Sequence, residues 1–356
     1  MNFTDYKPEI LSLKNETDFL RYQELQKQQG INRIDTMDKQ LKEWVQIQHP
    51  DKLLTDEQIN EITKEKLGNL SLTEYGNWVY YPWLNSLVHL LPENEFVSVR
   101  TNRNKLKITA KEQSQLAQKR IGIIGMSVGQ AVAVTCAMER VAGEIRIADF
   151  DTLDLSNLNR LRAGVHNLGQ NKAIIAARAI AEIDPYLKVT VYLDGISDSN
   201  IQNFFTDTGN LDALIEVCDG LDVKIKSRKM ARSLNIPVIM DTNDRGMLDI
   251  ERFDREPNRP LFHGLVPEAE LELAHSLAPQ QRVAMLMRLV SFENTSQRLK
   301  LSMNEIGKTI RTWPQLASSV QAGAGFTCET IRRILLKENV PSGRFYIDTE
   351  EIIKTA

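Results

Sequence analysis

Asp149-Phe-Asp151-Thr-Leu-Asp154-Leu-Ser156-Asn157-Leu-Asn159-Arg160 follows directly on the run Glu144-Ile-Arg-Ile-Ala148, and Lys172 stands twelve residues beyond Arg160. The run before Asp149 is strand-like and would deliver that aspartate to the end of a sheet. Asn157, Arg160 and Lys172 are then spaced to converge on one ligand. A carboxylate suits ribose hydroxyls, and an amide, a guanidinium and an ammonium suit phosphates, so together they fit a nucleoside triphosphate.

Working outward, buried-type strands alternate with amphipathic helices. Strands are predicted over 120–125, 144–149, 188–193, 211–217 and 237–241. Helices are predicted over 128–141, 170–183, 200–205 and 223–234, with a short one over 110–119. Strands that are apolar throughout, separated by helices, imply a parallel sheet covered on both faces. Ligands bind such sheets beyond the carboxyl ends of the strands, the edge that carries Met126, Asp149 and Asp219. Past Asp241 the order is less regular. An antiparallel strand is expected over 248–253, helices over 268–289 and 296–309, and a closing helix over 315–337 interrupted by Gly323 and Gly325. The first 95 residues are polar, with helical spacing over 17–29, 36–48 and 55–67 behind capping residues. Gly76-Asn-Trp-Val-Tyr-Tyr-Pro-Trp83 reads as packing. A helix is predicted over 84–91 and a strand over 96–100.

The chain has 356 residues, with 44 basic against 47 acidic and a net charge of −3, which gives no case for non-specific nucleic-acid binding. No apolar run approaches the roughly 20 residues that span a bilayer. The opening MNFTDYKPEI has neither a basic start nor an apolar core, so no secretory signal and a cytoplasmic location are expected. Cys136, Cys218 and Cys328 are far apart and form no CxxC, which excludes a four-cysteine zinc site and makes a disulfide framework unexpected.

The turn Gly125-Met-Ser127-Val-Gly129-Gln130 lies between strand and helix, where backbone N–H groups face phosphates. It does not meet GxGxxG, and a tight turn without a ligand remains the other reading. Asp149, 24 residues after Gly125, either bonds ribose or caps the next segment. Asp151 and Asp154 read by themselves as capping or solvated acids.

DFDTLDLSNLNR, Gly169-Gln-Asn-Lys172 and Val217-Cys-Asp219-Gly220 stand in this order and at suitable spacing over residues 120–245. They resemble the signature of the superfamily that includes ThiF, MoeB and the adenylation domains of ubiquitin-activating enzymes. The resemblance implies an α/β, Rossmann-like, doubly wound and mostly parallel sheet, with an N-terminal helical region (1–108) and an adenylation domain with C-terminal helices (109–356). It implies ATP and Mg²⁺, with a carboxylate attacking the α-phosphate of ATP. Gly125, Ser127, Gly129, Asp149, Asp151 and Asn157 would hold the nucleotide, Asn157, Arg160 and Lys172 would contact phosphates, and Asp219 would serve the metal. The family also uses an arginine from the second subunit of a homodimer, and Arg103 in Arg100-Thr-Asn-Arg103 has the matching spacing.

The substrate so implied is a carboxylate on a protein tail, a peptide, a small molecule or a nucleoside. The charge balance argues against tRNA without excluding it, and no membrane role is implied. The departures are Gly220 for the usual Asn, Lys224 for a later arginine, Leu161 for the Gln after the motif arginine, and the missing CxxC pairs. Cys218 and Cys328 are expected to be buried rather than thioester-forming. The stretch from Asp241 to Gly264 resembles a bacterial ThiF branch sometimes joined to a nitroreductase-like domain. Asp244, Arg245 and His263 either line the acyl site there or form a salt-bridged loop. The competing readings are a nucleotide-binding scaffold of the same fold and an NAD-dependent oxidoreductase.

Overall fold

The computed structural model describes residues 5–353, which divide into two compact units. One comprises the described residues through Lys111 together with Ala181–Tyr186. The other comprises Glu112–Ile180 and the described residues from Leu187 onward.

In the first unit, β1 (Glu9–Leu11) precedes α1 (Glu16–Lys27), β2 (Asn32–Asp35), α2 (Met37–Gln48) and α3 (Asp56–Leu67). Then follow β3 (Asn77–Tyr81), β4 (Ser86–Leu90) and α4 (Glu93–Arg100). The three predicted helices are present, joined by a four-stranded sheet in the order β1-β3-β4-β2 that the polar sequence does not advertise. The aromatic run is strand β3, and its alternation is that of a strand buried on both faces. Trp78 and Tyr80 pack with Leu11, Leu25 and Leu87, and Val79 and Tyr81 pack with Trp83 and Ala181. Two segments differ from expectation. Residues 84–91 are not a helix, because Asn85 takes a left-handed φ of 46° and turns the chain into a β3–β4 hairpin. Residues 96–100 are helical, because Glu93 and Glu95 follow Pro92 in a favourable first turn, and five alternating residues decide little on their own.

The second unit is built on a seven-stranded sheet. α5 (Ala110–Leu116) leads into β5 (Arg120–Ile124), α6 (Gly129–Glu139), β6 (Glu144–Ala148), α7 (Lys172–Ile183), β7 (Lys188–Tyr192) and α8 (Ile201–Thr206). β8 (Ala213–Glu216), α9 (Leu221–Ser233), β9 (Val238–Asp241) and β10 (Met247–Glu251) follow. The C-terminal part is α10 (Glu268–Glu272), α11 (Pro279–Leu289), α12 (Gln297–Met303), α13 (Ala317–Leu335), β11 (Gly343–Tyr346) and α14 (Thr349–Ile352). The order is β11-β10-β9-β8-β5-β6-β7, with β5 to β9 parallel and β10 and β11 antiparallel. This is a Rossmann-like doubly wound sheet. Chain direction across it reverses between β5 and β8, where a crevice opens beyond the strand ends.

The predicted 268–289 helix is two, because Pro279 starts α11 afresh. α13 runs unbroken through Gly323 and Gly325, since packing of its buried face outweighs two glycines. Among the described residues no helix is long and apolar enough to cross a membrane.

Candidate functional site

The loops after β5, β6 and β8 meet at the point of reversal. Gly125 takes φ 92°, and its N–H donates to the Ala148 carbonyl at 2.9 Å. A Cβ there would meet the Cys218 N and Cα at 2.8 Å, so only glycine lets this turn lie against the β8 loop. Gly129 opens α6, and a Cβ there would sit 2.9 Å from Ile123, so it sets the close approach of helix to sheet. Gly125→Ala is therefore expected to cost about 2–3 kcal/mol through left-handed strain and the clash together. Urea melts would read this as a lower midpoint at unchanged slope.

Asp149 is buried and accepts the Met126 N–H at 2.5 Å and the Asp151 N–H at 2.7 Å. Burial pushes its carboxyl pKa up, opposed by those two N–H groups and by Lys172. The excursion from Asp151 to Lys172 closes on itself. Leu153 donates to the Gln170 carbonyl at 2.8 Å, Gly169 to Leu153 at 2.9 Å and Lys172 to Asp151 at 2.9 Å. The Asn171 side chain caps α7 through the Ala173 N–H at 2.8 Å. This ladder puts the buried Lys172 ammonium 3.0 Å from the exposed Asp151 carboxylate. Asn157 is buried and accepts the Asp154 N–H at 3.0 Å, so its carbonyl shapes the loop.

Arg160 donates to Asn159 at 2.8 Å, while its Nε is buried without a hydrogen-bond partner among the described residues. The hydroxyl of Ser127 is likewise buried and unpartnered. Burial lowers the Arg160 pKa, and the charge of Asp219 raises it. Asp219 keeps accessible surface, yet the protein packed around it raises its carboxyl pKa. Lys224, Arg160 and Lys172 oppose that rise, and Glu216 adds to it. The structure thus gathers Asp149, Arg160, Lys172 and Asp219 into one electrostatic neighbourhood. Arg103 sits exposed on a short turn, Asn102–Asn104, in the other unit.

Three further contributors appear, of which the sequence had marked Gln130 and Lys224 only as departures from the expected pattern and Glu216 not at all. Gln130, at the third glycine position, clamps Arg162 by two bonds of 2.9 Å and so holds the Arg160 loop on α6. Glu216 is fully buried, accepts the Cys218 N–H at 2.9 Å and so fixes the turn that carries Asp219. Lys224 is buried against Glu216 at 3.1 Å. For Glu216 the legible signal was an acid in the otherwise apolar strand Ala213–Glu216. His263 is not on the wall of the cavity that Asp244 and Arg245 line. It bonds Asp249 at 3.0 Å and Arg259 at 2.8 Å, which makes it structural. Asp244 and Arg245 do line a cavity but are engaged, Asp244 with Ser296 at 2.7 Å and Arg245 with Asp348 at 2.6 Å. Cys136 and Cys328 are buried, and burial, then Glu216, pushes the Cys218 thiol pKa well up, against thioester chemistry.

The donor set fits Mg·ATP. Mg²⁺ typically takes one or two carboxylates plus phosphate oxygens and water, which Asp219 satisfies, and the unpartnered Arg160 Nε and Ser127 hydroxyl fit an incoming polar ligand. Among the described residues no cluster of three or more His, Cys, Asp or Glu is placed to hold a metal by itself.

An uncharacterized protein of Mycobacterium tuberculosis is 43% identical over 277 residues, 78% of this chain and 38% of the relative. The tRNA threonylcarbamoyladenosine dehydratase of Bacillus subtilis is 30% identical over 154 residues, 43% of this chain and 59% of the relative. The chain therefore spans less than two thirds of either relative. A crystal structure of E. coli MccB superposes with a TM-score of 0.52 at 14% identity, covering 89% of this chain and 85% of that one, a likeness of fold alone. The model of the ThiF family matches residues 101–341, and the chain belongs to that family.

Proposed function

We propose that this chain activates a carboxylic acid by adenylation. A carboxylate oxygen of the acid attacks the α-phosphorus of ATP and forms the acyl–phosphate bond. The bond from that phosphorus to the bridging oxygen breaks, and pyrophosphate leaves with the electron pair. The nucleophile is already anionic, so the protein needs no strong base and must instead stabilise charge on phosphates and leaving group.

In this reading Asp149 holds the ribose, its carboxylate oxygens retaining lone pairs beyond those used by Met126 and Asp151. The amides of Gly125 to Gly129 and the Ser127 hydroxyl face phosphates, with Asn157, Arg160 and Lys172. Asp151 keeps Lys172 extended until phosphate replaces it as partner. Asp219 would hold Mg²⁺, which when bound supplies charge neutralisation to the phosphates. Arg103 would come from a second copy, making the working unit a homodimer in the cytoplasm, with residues 1–108 apart from the adenylation domain of 109–356. The observation that carries the proposal is the convergence of Arg160, Lys172 and Asp219 in one field at the sheet's point of reversal. The acid is a peptide, protein tail or small molecule, and the near-neutral charge balance disfavours a nucleic acid.

Melting curves with Mg·ATP, Mg·GTP and NAD test it. Mg·ATP at about 100 times its Kd should add about 2.7 kcal/mol and raise Tm by roughly 3–4 °C, and Arg160→Ala should remove most of that shift. A shift with NAD alone, or an Arg160→Ala shift equal to wild type, would sink the reading.

A further inference from the structure

Beyond the carboxyl ends of β8 and β9 lies a cavity of about 710 Å³, lined by Asp219, Asp241, Asn243 and Gln315 with an apolar wall that includes Leu286, Val290, Trp313 and Phe326. Most charged groups in its lining are neutralised. Lys224 is paired with Glu216 at 3.1 Å and Arg245 with Asp348 at 2.6 Å, while Asp244 is satisfied by Ser296, whose N–H donates at 2.8 Å and hydroxyl at 2.7 Å. Arg298 and Glu350 are exposed.

Asp241 is different. It is 4% exposed, its Oδ1 accepts the Asn243 N–H at 2.8 Å, and its Oδ2 is buried without a hydrogen-bond partner among the described residues. Burial raises its carboxyl pKa to about 6, opposed by that N–H. A buried carboxylate oxygen with no donor beside it among the described residues is an arrangement that calls for a partner. Asn243 Oδ1 and Gln315 Oε1, in the same lining, are also buried and unpartnered. The neighbouring helix is shaped to leave the carboxylate in place. Gly323 of α13 faces it, and a Cβ there would lie 2.0 Å from Oδ2. A glycine inside a helix costs about 1 kcal/mol against alanine, so the space has been kept at some expense in helix stability. The loop it starts is also strained, with left-handed backbone at Asn243 (φ 60°) and Arg245 (φ 54°).

We propose that this cavity receives the acid to be activated and that the acid carries a protonated amine, bound by Asp241. An ammonium brings three donors and no acceptor, which suits an unpaired carboxylate oxygen in a lining that also holds unpaired amide oxygens. The substrate class is then an amino-acid-like zwitterion or an amine-bearing peptide, its carboxylate directed to the end of the cavity where the fields of Arg160 and Lys172 reach Asp219 and its ammonium to Asp241, across an apolar middle. The carboxylate end rests on the adenylation reading, and the ammonium subsite does not.

The test omits nucleotide, so that its failure and the failure of the adenylation reading are separable. Wild type and Asp241→Asn would be titrated calorimetrically with 6-aminohexanoate, hexylammonium and hexanoate, after both are shown to melt cooperatively. Both amine probes are expected to bind saturably to wild type, at least tenfold more tightly than hexanoate. Asp241→Asn should weaken both amine probes at least tenfold and leave hexanoate unchanged. Hexanoate binding as well as the amines, no saturable amine binding, or amine binding untouched by the substitution would each overturn the proposal. Should Asp241→Asn not fold, the wild-type comparison of the three probes decides.

Discussion

Asp219→Ala is expected to lower ATP–pyrophosphate exchange by about 10²- to 10³-fold, the scale on which an enzyme loses a preorganised group aimed at developing charge. Asp219 stands one turn beyond β8, and the Cys218 N–H on buried Glu216 holds that turn at 2.9 Å. It shares its field with Arg160 and Lys172, so its removal takes an opposing charge from both and takes away the carboxylate proposed for Mg²⁺. The fold should survive, because Asp219 donates nothing to the core. The pH dependence has a definite sign. Its carboxyl pKa is raised above the ordinary aspartate value, so on acidification Asp219 should protonate, and exchange should fall, at a higher pH than an exposed aspartate would give. The measurement is exchange against pH with any acid that supports it in wild type, at nucleotide well below saturation, where the ionisation of the free protein is read. Asp219→Ala exchange within tenfold of wild type would refute the assignment.

The sheet and its point of reversal were legible because parallel strands buried on both faces announce themselves as apolar runs, as β5, β8 and β9 do, while β6 carries Arg146 within its run and the half-buried edge strand β7 alternates. The signature residues were legible because their order in the chain survives folding. Less legible was how Lys172 reaches Asp151, which depends on a backbone ladder from Leu153 to Lys172 with no side-chain pattern. The small N-terminal sheet was hidden for another reason. Its strands are three to five residues long, and its hairpin turns on Asn85 alone, below the length at which periodicity separates strand from helix. Asp241 and Glu216 were visible only as acids closing apolar strands. What makes them differ, an unpartnered oxygen in one and three donors in the other, is decided by α9 and α13, which pack against them from elsewhere in the sequence.

Arg228→Leu is expected to cost about 3–5 kcal/mol, the penalty for removing one partner from a buried ion network. Arg228 is fully buried on α9. It donates to Glu216 at 2.6 Å and to Glu251 at 2.5 Å, and its guanidinium lies 4.2 Å from the centre of the Phe262 ring. Burial works to raise the Glu216 pKa, but the charges of Lys224 and Arg228 outweigh it and hold the carboxylate below its usual range. Glu251 is the weaker partner. Burial raises its pKa despite Arg228, and beyond that cation it has the Phe262 N–H at 2.7 Å. Without Arg228, Glu251 would have to take up a proton, and Glu216 would depend on Lys224 and the Cys218 N–H. The loss therefore reaches the site, because Glu216 positions the turn that carries Asp219. Arg228→Leu should lower both the urea midpoint and the Mg·ATP-induced rise in Tm. Adding Glu216→Gln, Glu251→Gln and Lys224→Met should restore much of the stability, since replacing a whole buried network by neutral groups is often nearly neutral. It should not restore the nucleotide response, because the charges of Glu216 and Lys224 beside Asp219 are then both gone. A single substitution costing under 1 kcal/mol would show that α9 is held by its apolar face alone. Recovery of both properties in the quadruple variant would show that the charges act on stability and not on the site.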